Sequence, residues 1–192
     1  AGIAIGFAAQ DSLANTIAGF MIFWDKPFHV GDWITVCNQY GCVSEVTLRS
    51  TRIRTNDNKY VVLPNKMIID DVLINHSKNG ATRVVVKLGI AYKEDIAKAR
   101  KVLLSAIVGH AKILDEPSAD LVVMALDSSS INLELRFWTD DFSAEDPLVS
   151  QILEISKEAL DQAGIEIPFP HLQLFIDEIR DTAVRQALDS LK

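Results

Sequence analysis

Four histidines, two cysteines and several pairs of adjacent acids are the residues of this 192-residue chain best equipped for chemistry. His29, His76, His110 and His171 are scattered and lack the close i, i+3 or i, i+4 spacing that would put two imidazoles on one metal. Cys37 and Cys42 flank a turn and could face each other across a hairpin, but two thiols are too few for a disulfide scaffold, so free thiols in a reducing compartment are the reading. Asp70-Asp71, Asp140-Asp141 and Glu145-Asp146 have the groups for cation coordination or acid–base work, with solvated loops as the plainer reading. The chain has no Gly-rich phosphate loop, no G-x-S-x-G elbow and no H-E-x-x-H helix. No catalytic residue, metal ligand or cofactor site is therefore expected, and the chain is not read as an enzyme.

Composition narrows the classes further. Hydrophobic residues make up 48% of the chain and charged residues 23%, which excludes a disordered or low-complexity protein. The net charge of -7 argues against nucleic acid as a partner, since phosphate contacts need clustered cations. Residues 1–82 are neutral in sum and residues 83–176 carry -6, so the acidity lies in the second half.

The elements that hold these residues begin with an apolar stretch, residues 1–24, interrupted by Gln10, Asp11, Ser12, Asn15 and Thr16 and so ill suited to span a membrane alone. With no initiator Met and no basic leader region, it reads as the start of a fragment rather than as a signal peptide. Gly2, Ala4, Gly6 and Ala8 include two small-xxx-small pairs, the spacing that lets helix backbones approach closely. The polar break at Gln10 to Ser12 predicts a second helix, with Asp11 or Ser12 as its N-cap and Leu13, Ile17, Phe20, Met21 and Trp24 on one face. An ordinary amphipathic helix on a soluble core is the alternative for this segment.

Five short strands are expected at 28–36, 42–48, 51–55, 60–63 and 72–75, a pattern that suits a small barrel. Residues 77–82 (SKNGAT) are polar and turn-rich and read as a linker. Beyond it, the order is a strand at 83–91, a helix at 94–108, strands at 121–126 and 131–138, a helix at 147–163 after an Asp146 N-cap, and a strand at 171–176. Strict alternation from Ile131 to Trp138 marks a sheet with one buried face. This β-α-β-β-α-β order is the split ferredoxin-like arrangement, so the fold class is α+β: an N-terminal helical segment (1–27), a small β domain (28–76), the linker, a ferredoxin-like αβ domain (83–176) and a charged tail (177–192).

Taken in order, AGIAIGFAAQDSLANTIAGFMIF, KPFHVGDWI, VVLPNKMI, VLINHS and GIEIPFPHLQL resemble the small-conductance mechanosensitive channel family of bacterial inner membranes, over most of the chain. The resemblance implies the end of a pore-lining transmembrane helix that kinks into an interfacial helix, a β domain that is Sm-like, and an αβ domain whose C-terminal strands form a barrel. It implies a homoheptamer in contact with membrane lipid, opened by tension to release ions and small osmolytes in hypoosmotic shock, with residues 28–192 in the cytoplasm. Carried over by position, Ile3 and Phe7 are the pore constriction, Gly2, Ala4, Gly6 and Ala8 the packing surface of the pore helix, Gln10, Asp11 and Gly19 the kink and gating positions, and Asn15 the contact from helix to β domain. The kink departs from the family pattern, with Asp11 where a Gly stands in the best-known member. The alternative function is a ring-forming cytoplasmic sensor or scaffold that does not conduct.

Overall fold

The computed structural model describes the backbone of residues 2–143 and 145–170 and the side chains from residue 8 onwards. One unbroken helix, α1 (Gly2–Asp25), occupies the N-terminal segment, where the sequence predicts two helices with a break at Gln10 to Ser12. Those three side chains are all exposed to solvent, and their modest helix propensity does not break the helix. Asn15 Nδ2 and Thr16 Oγ1, four residues on, donate to the carbonyls of Asp11 and Ser12 at 2.8 and 2.9 Å, so the polar residues are absorbed within helical geometry. Asp11 is thus a mid-helix residue and no N-cap. Among the described residues no helix is long and apolar enough to cross a membrane.

The chain then builds a five-stranded antiparallel sheet from β1 (Trp33–Val36), β2 (Gln39–Val46), β3 (Ser50–Arg54), β4 (Tyr60–Pro64) and β5 (Ile74–Asn75), in the order β4-β3-β2-β1-β5. A six-residue helix, α2 (Asn65–Asp70), joins the two edge strands. The sequence predicts no element between 63 and 72 and a longer last strand, 72–75. No ladder pairs β4 with β5, so the expected barrel is an open sheet. Residues 28–32, expected to be strand, form a turn in which Asp32 Oδ2 accepts from the His29 N–H at 2.9 Å and from Asn75 Nδ2 at 2.8 Å. Burial opposes ionisation of Asp32, but these hydrogen bonds outweigh it and hold the carboxyl below its usual range.

The first hairpin also turns earlier than expected. Val36 pairs with Gln39, leaving Cys37 and Asn38 as a two-residue loop at φ 49° and 56°. Two consecutive left-handed residues make the tight turn that matches strand twist. Cys42 lies opposite Trp33, so the two thiols are not cross-strand partners, and both are free. The core under this sheet comprises Ile34, Val36, Val43, Ile53, Leu63 and Ile68, with Ile22 of α1 and Phe28.

A three-stranded antiparallel sheet follows: β6 (Thr82–Ile90), β7 (Asp120–Leu126) and β8 (Ile131–Thr139), in the order β6-β8-β7, with α3 (Ile96–Ile107) after β6 and α4 (Glu145–Gln162) after β8. The predicted alternation holds along β8, where Ile131, Leu133, Leu135 and Phe137 are buried. They pack on Ala99, Leu103 and Ile107 of α3 and on Leu148, Ile152 and Leu160 of α4. Asp95 caps α3 by accepting from the Ala97 and Lys98 amides. Helix α4 begins at Glu145, so Asp146 lies within its first turn and is no cap. Gly164, at φ 67°, stands just past its end as a C-terminal glycine should. The strand predicted at 171–176 and the tail from 177 lie outside the described residues.

Candidate functional site

The place where the helix meets the first sheet is a well-defined polar junction. It is built around Asn65, fully buried at the first position of α2. Its side-chain amide donates to the carbonyls of Thr47 and Leu48 at 2.9 and 3.1 Å, and its Oδ1 accepts from the buried Thr51 hydroxyl at 2.9 Å. Its own backbone N–H donates to the Arg49 carbonyl at 3.0 Å. One side chain therefore fixes the turn from Thr47 to Ser50 that carries the chain between β2 and β3.

Helix α1 lies on that turn. Asn15 Oδ1 accepts from the Lys66 backbone N–H at 2.9 Å, satisfying a donor in the first turn of α2. One turn further on, a Cβ at Gly19 would sit 2.2 Å from the Leu48 carbonyl oxygen and 2.6 Å from Asn65 Nδ2. Helix and turn touch backbone to backbone at this point, and only glycine fits. The helix passes through Gly19 without interruption, so what the structure gives this residue is close approach. Ala18 and Ile22 complete the buried seam.

The apolar face read from the sequence, Leu13, Ile17, Phe20, Met21 and Trp24, is exposed and does not cap the core, with Phe20 and Trp24 stacked at 6.0 Å between ring centroids. Ala18 and Gly19 carry the close approach to the turn, where a longer side chain has no space, and Ile22 one turn on reaches the core under the sheet. Asp11 lies nearer the N-terminus, beside a recess of about 270 Å³ lined also by Ser12, Asn15, Arg49, Ser50, Val62 and Pro64. Lys66 pairs with Asp70 at 2.8 Å, which raises its pKa, with a smaller contribution from Asp11.

Of the residues singled out from the sequence, the structure brings Asn15 and Gly19 to one junction and places Gln10 and Asp11 on the exposed helix outside it. Gly2, Ile3, Ala4, Gly6 and Phe7 lie on the first two turns of α1, where backbone alone is described, and Ala8 is exposed just beyond. Asn65 and Leu48 were missed. The signal available for Asn65 was its position straight after Pro64, an amide at a helix start closing an apolar run. Nothing in the sequence marks Leu48, which acts through its carbonyl. The described histidines, His29, His76 and His110, lie on different elements, His171 lies outside the described residues, and among the described residues no group of three His, Cys, Asp or Glu side chains could hold a metal ion.

A helix seated on a small β sheet, followed by a β-α-β-β-α unit, is also what comparison with known proteins returns. Residues 11–78 match the family described as mechanosensitive ion channel, beta-domain, and residues 84–167 match mechanosensitive ion channel MscS, C-terminal. Both matched models describe ion-channel families, not enzyme families. The "Large-conductance mechanosensitive channel MscMJLR" of Methanocaldococcus jannaschii is 31% identical over 91% of this chain and 50% of its own length. The "Small-conductance mechanosensitive channel" of Edwardsiella ictaluri is 33% identical over 92% of this chain and 61% of its own. The crystal structure of Helicobacter pylori MscS in its closed state superposes with a TM-score of 0.82 at 29% identity, covering 93% of this chain and 70% of that one. The chain belongs to the MscS family of mechanosensitive channels. It spans between half and two thirds of the length of these two curated relatives.

Proposed function

We propose that the chain is part of a tension-gated ion channel subunit, holding the end of the pore helix and the cage beneath it. The observation that carries this reading is the junction of Asn15, Gly19, Leu48 and Asn65, which ties α1 to the β sheet within a chain whose two halves match the beta-domain and the C-terminal models of such channels. In this reading the subunits form a homoheptamer in the bacterial inner membrane, with residues 28–192 on the cytoplasmic side. Residues 28–76 are the Sm-like domain, 83–176 the ferredoxin-like domain closing in a C-terminal barrel strand, and 77–82 the linker.

Ile3 and Phe7 form rings that close the pore by dewetting, since apolar side chains offer an ion no replacement for its hydration shell. Gly2, Ala4, Gly6 and Ala8 let neighbouring helices slide as tension in the lipid widens the ring. Gln10, Asp11 and Gly19 are where α1 would bend on gating, and Asn15 transmits that change to α2. The released cargo is ions and small osmolytes, and neither catalysis nor a cofactor has a part in it.

Excised-patch recording of the full-length product under a tension ramp tests the reading, with wild type beside Phe7→Ser. Tension-activated current in the wild type, together with easier opening or a leak in the variant, is the expected result. No current at any sub-lytic tension despite confirmed membrane insertion would sink it and leave a ring-forming sensor or scaffold.

A further inference from the structure

The two sheets have separate cores and little packing between their elements. The chain crosses from one to the other through a short turn after β5, in which the Gly80 N–H donates to the Ser77 carbonyl at 2.9 Å and Gly80 sits at φ 78°. Such a connection permits relative rotation. Among the described residues no ion pair crosses between the units, and the hydrogen bond that does is made by Tyr40, whose hydroxyl donates to the Phe142 carbonyl at 2.6 Å.

Both ends of this bond are braced. Tyr40 stands on β2 between the Trp33 ring, 5.3 Å away, and the edge of the His76 imidazole, 5.2 Å away. The His76 ring is in turn fixed by a 2.8 Å hydrogen bond with the Thr35 hydroxyl. Phe142 lies in the loop between β8 and α4. There Asp141 Oδ1 accepts from the Ser143 hydroxyl at 2.7 Å, its Oδ2 pairs with Lys112 at 2.9 Å, and its backbone N–H donates to Thr139 Oγ1 at 3.1 Å. A neutral hydrogen bond thus joins two braced anchors across a short connection whose first residues, Ser77 and Lys78, are tied to Trp33 and Asn75 and whose remainder, 79–81, has no such side-chain tie among the described residues.

We propose that Tyr40 is a latch between the two units: its hydroxyl holds the αβ unit in one orientation against the first sheet, and loss of that bond frees the turn at 77–81 to act as a hinge. Burial keeps the phenol protonated, and the carboxylates of Glu145, Asp146 and Asp141 reinforce this, so the donor is present throughout the physiological range. The inference concerns the mechanics of the folded chain and stands whether or not the protein conducts.

The test compares the full-length protein with its Tyr40→Phe variant, which keeps the ring and its stacking and removes only the donor. Trypsin cleavage after Lys78 and hydrogen exchange of the 139–143 amides are followed under native conditions. Where opening is fast relative to cleavage, proteolysis reports the population of the open form. Both rates are expected to rise about fivefold, the factor one ordinary hydrogen bond supports, with the melting of each core unchanged. Tyr92→Phe, which removes a hydroxyl bonded to the Asp127 carbonyl within a single unit, should leave both rates alone. Unchanged rates in Tyr40→Phe, or an equal rise in Tyr92→Phe, would overturn the proposal.

Discussion

Gly19 leaves no room for a methyl group, and the obstacle is a backbone carbonyl that cannot swing aside. Gly19→Ala should therefore force α1 off the Thr47 to Ser50 turn. An overpacked contact of this kind costs about 1–3 kcal/mol. In a chain of this size that corresponds to a melting point lower by several degrees, roughly 2–4 °C per kcal/mol, and a thermal scan of the purified protein checks it. Asn65→Ala acts at the same junction by the opposite route. It opens space, but strands the buried Thr51 hydroxyl and two carbonyls without their donor or acceptor, at a cost of about 1–3 kcal/mol for each group left unpaired. Asn65→Asp should rescue less than half of the loss, since a carboxylate accepts from Thr51 and has no amide hydrogens for Thr47 and Leu48.

At the level of elements, α3 begins where Asp95 accepts two backbone amides, so Asp95→Ala should cost about 1 kcal/mol through loss of the cap, read as a lower melting temperature of the αβ unit. This unit was the more legible in the sequence. The alternation from Ile131 to Trp138 and the stripe of Ala99, Leu103 and Ile107 are long periodic signals, and their buried faces are those observed. The first sheet was harder to read because its strands are short and its turns are set by backbone conformation. The left-handed pair at Cys37 and Asn38 carries no glycine to announce it, and α2 has no side-chain N-cap. The helix break failed for a related reason. Gln10, Asp11 and Ser12 form a capping-like sequence, yet on an exposed helix face nothing obliges them to cap. The junction was half visible: Asn15 stood out as a polar residue in an apolar stretch, whereas its acceptor role depends on the Lys66 backbone, which no pattern of side chains encodes.

For the molecule as a whole, Tyr40 sets an alkaline limit. Its pKa is pushed up from about 10 to about 12, first by burial and then by nearby carboxylates. A group whose folded-state pKa lies above its unfolded value contributes stability that is complete below the unfolded value and is lost as pH rises through the folded one. Stability should thus fall as pH climbs from about 10 towards 12, while Tyr40→Phe loses this part of the dependence. Melting curves recorded across that window, with spectroscopic titration of the phenol, check both the position and the sign.

The continuity of α1 turns it into a lever. From Gly19, where it is pinned, to Gly2 is 17 residues, about 25 Å at 1.5 Å per residue. A rod of that length tilting by about 10° around its pinned point carries its far end sideways by about 4 Å, more than the width of a water molecule. As long as α1 stays unbroken, as it is here, a small rearrangement at the Asn65 junction is thus magnified at the other end of the same helix.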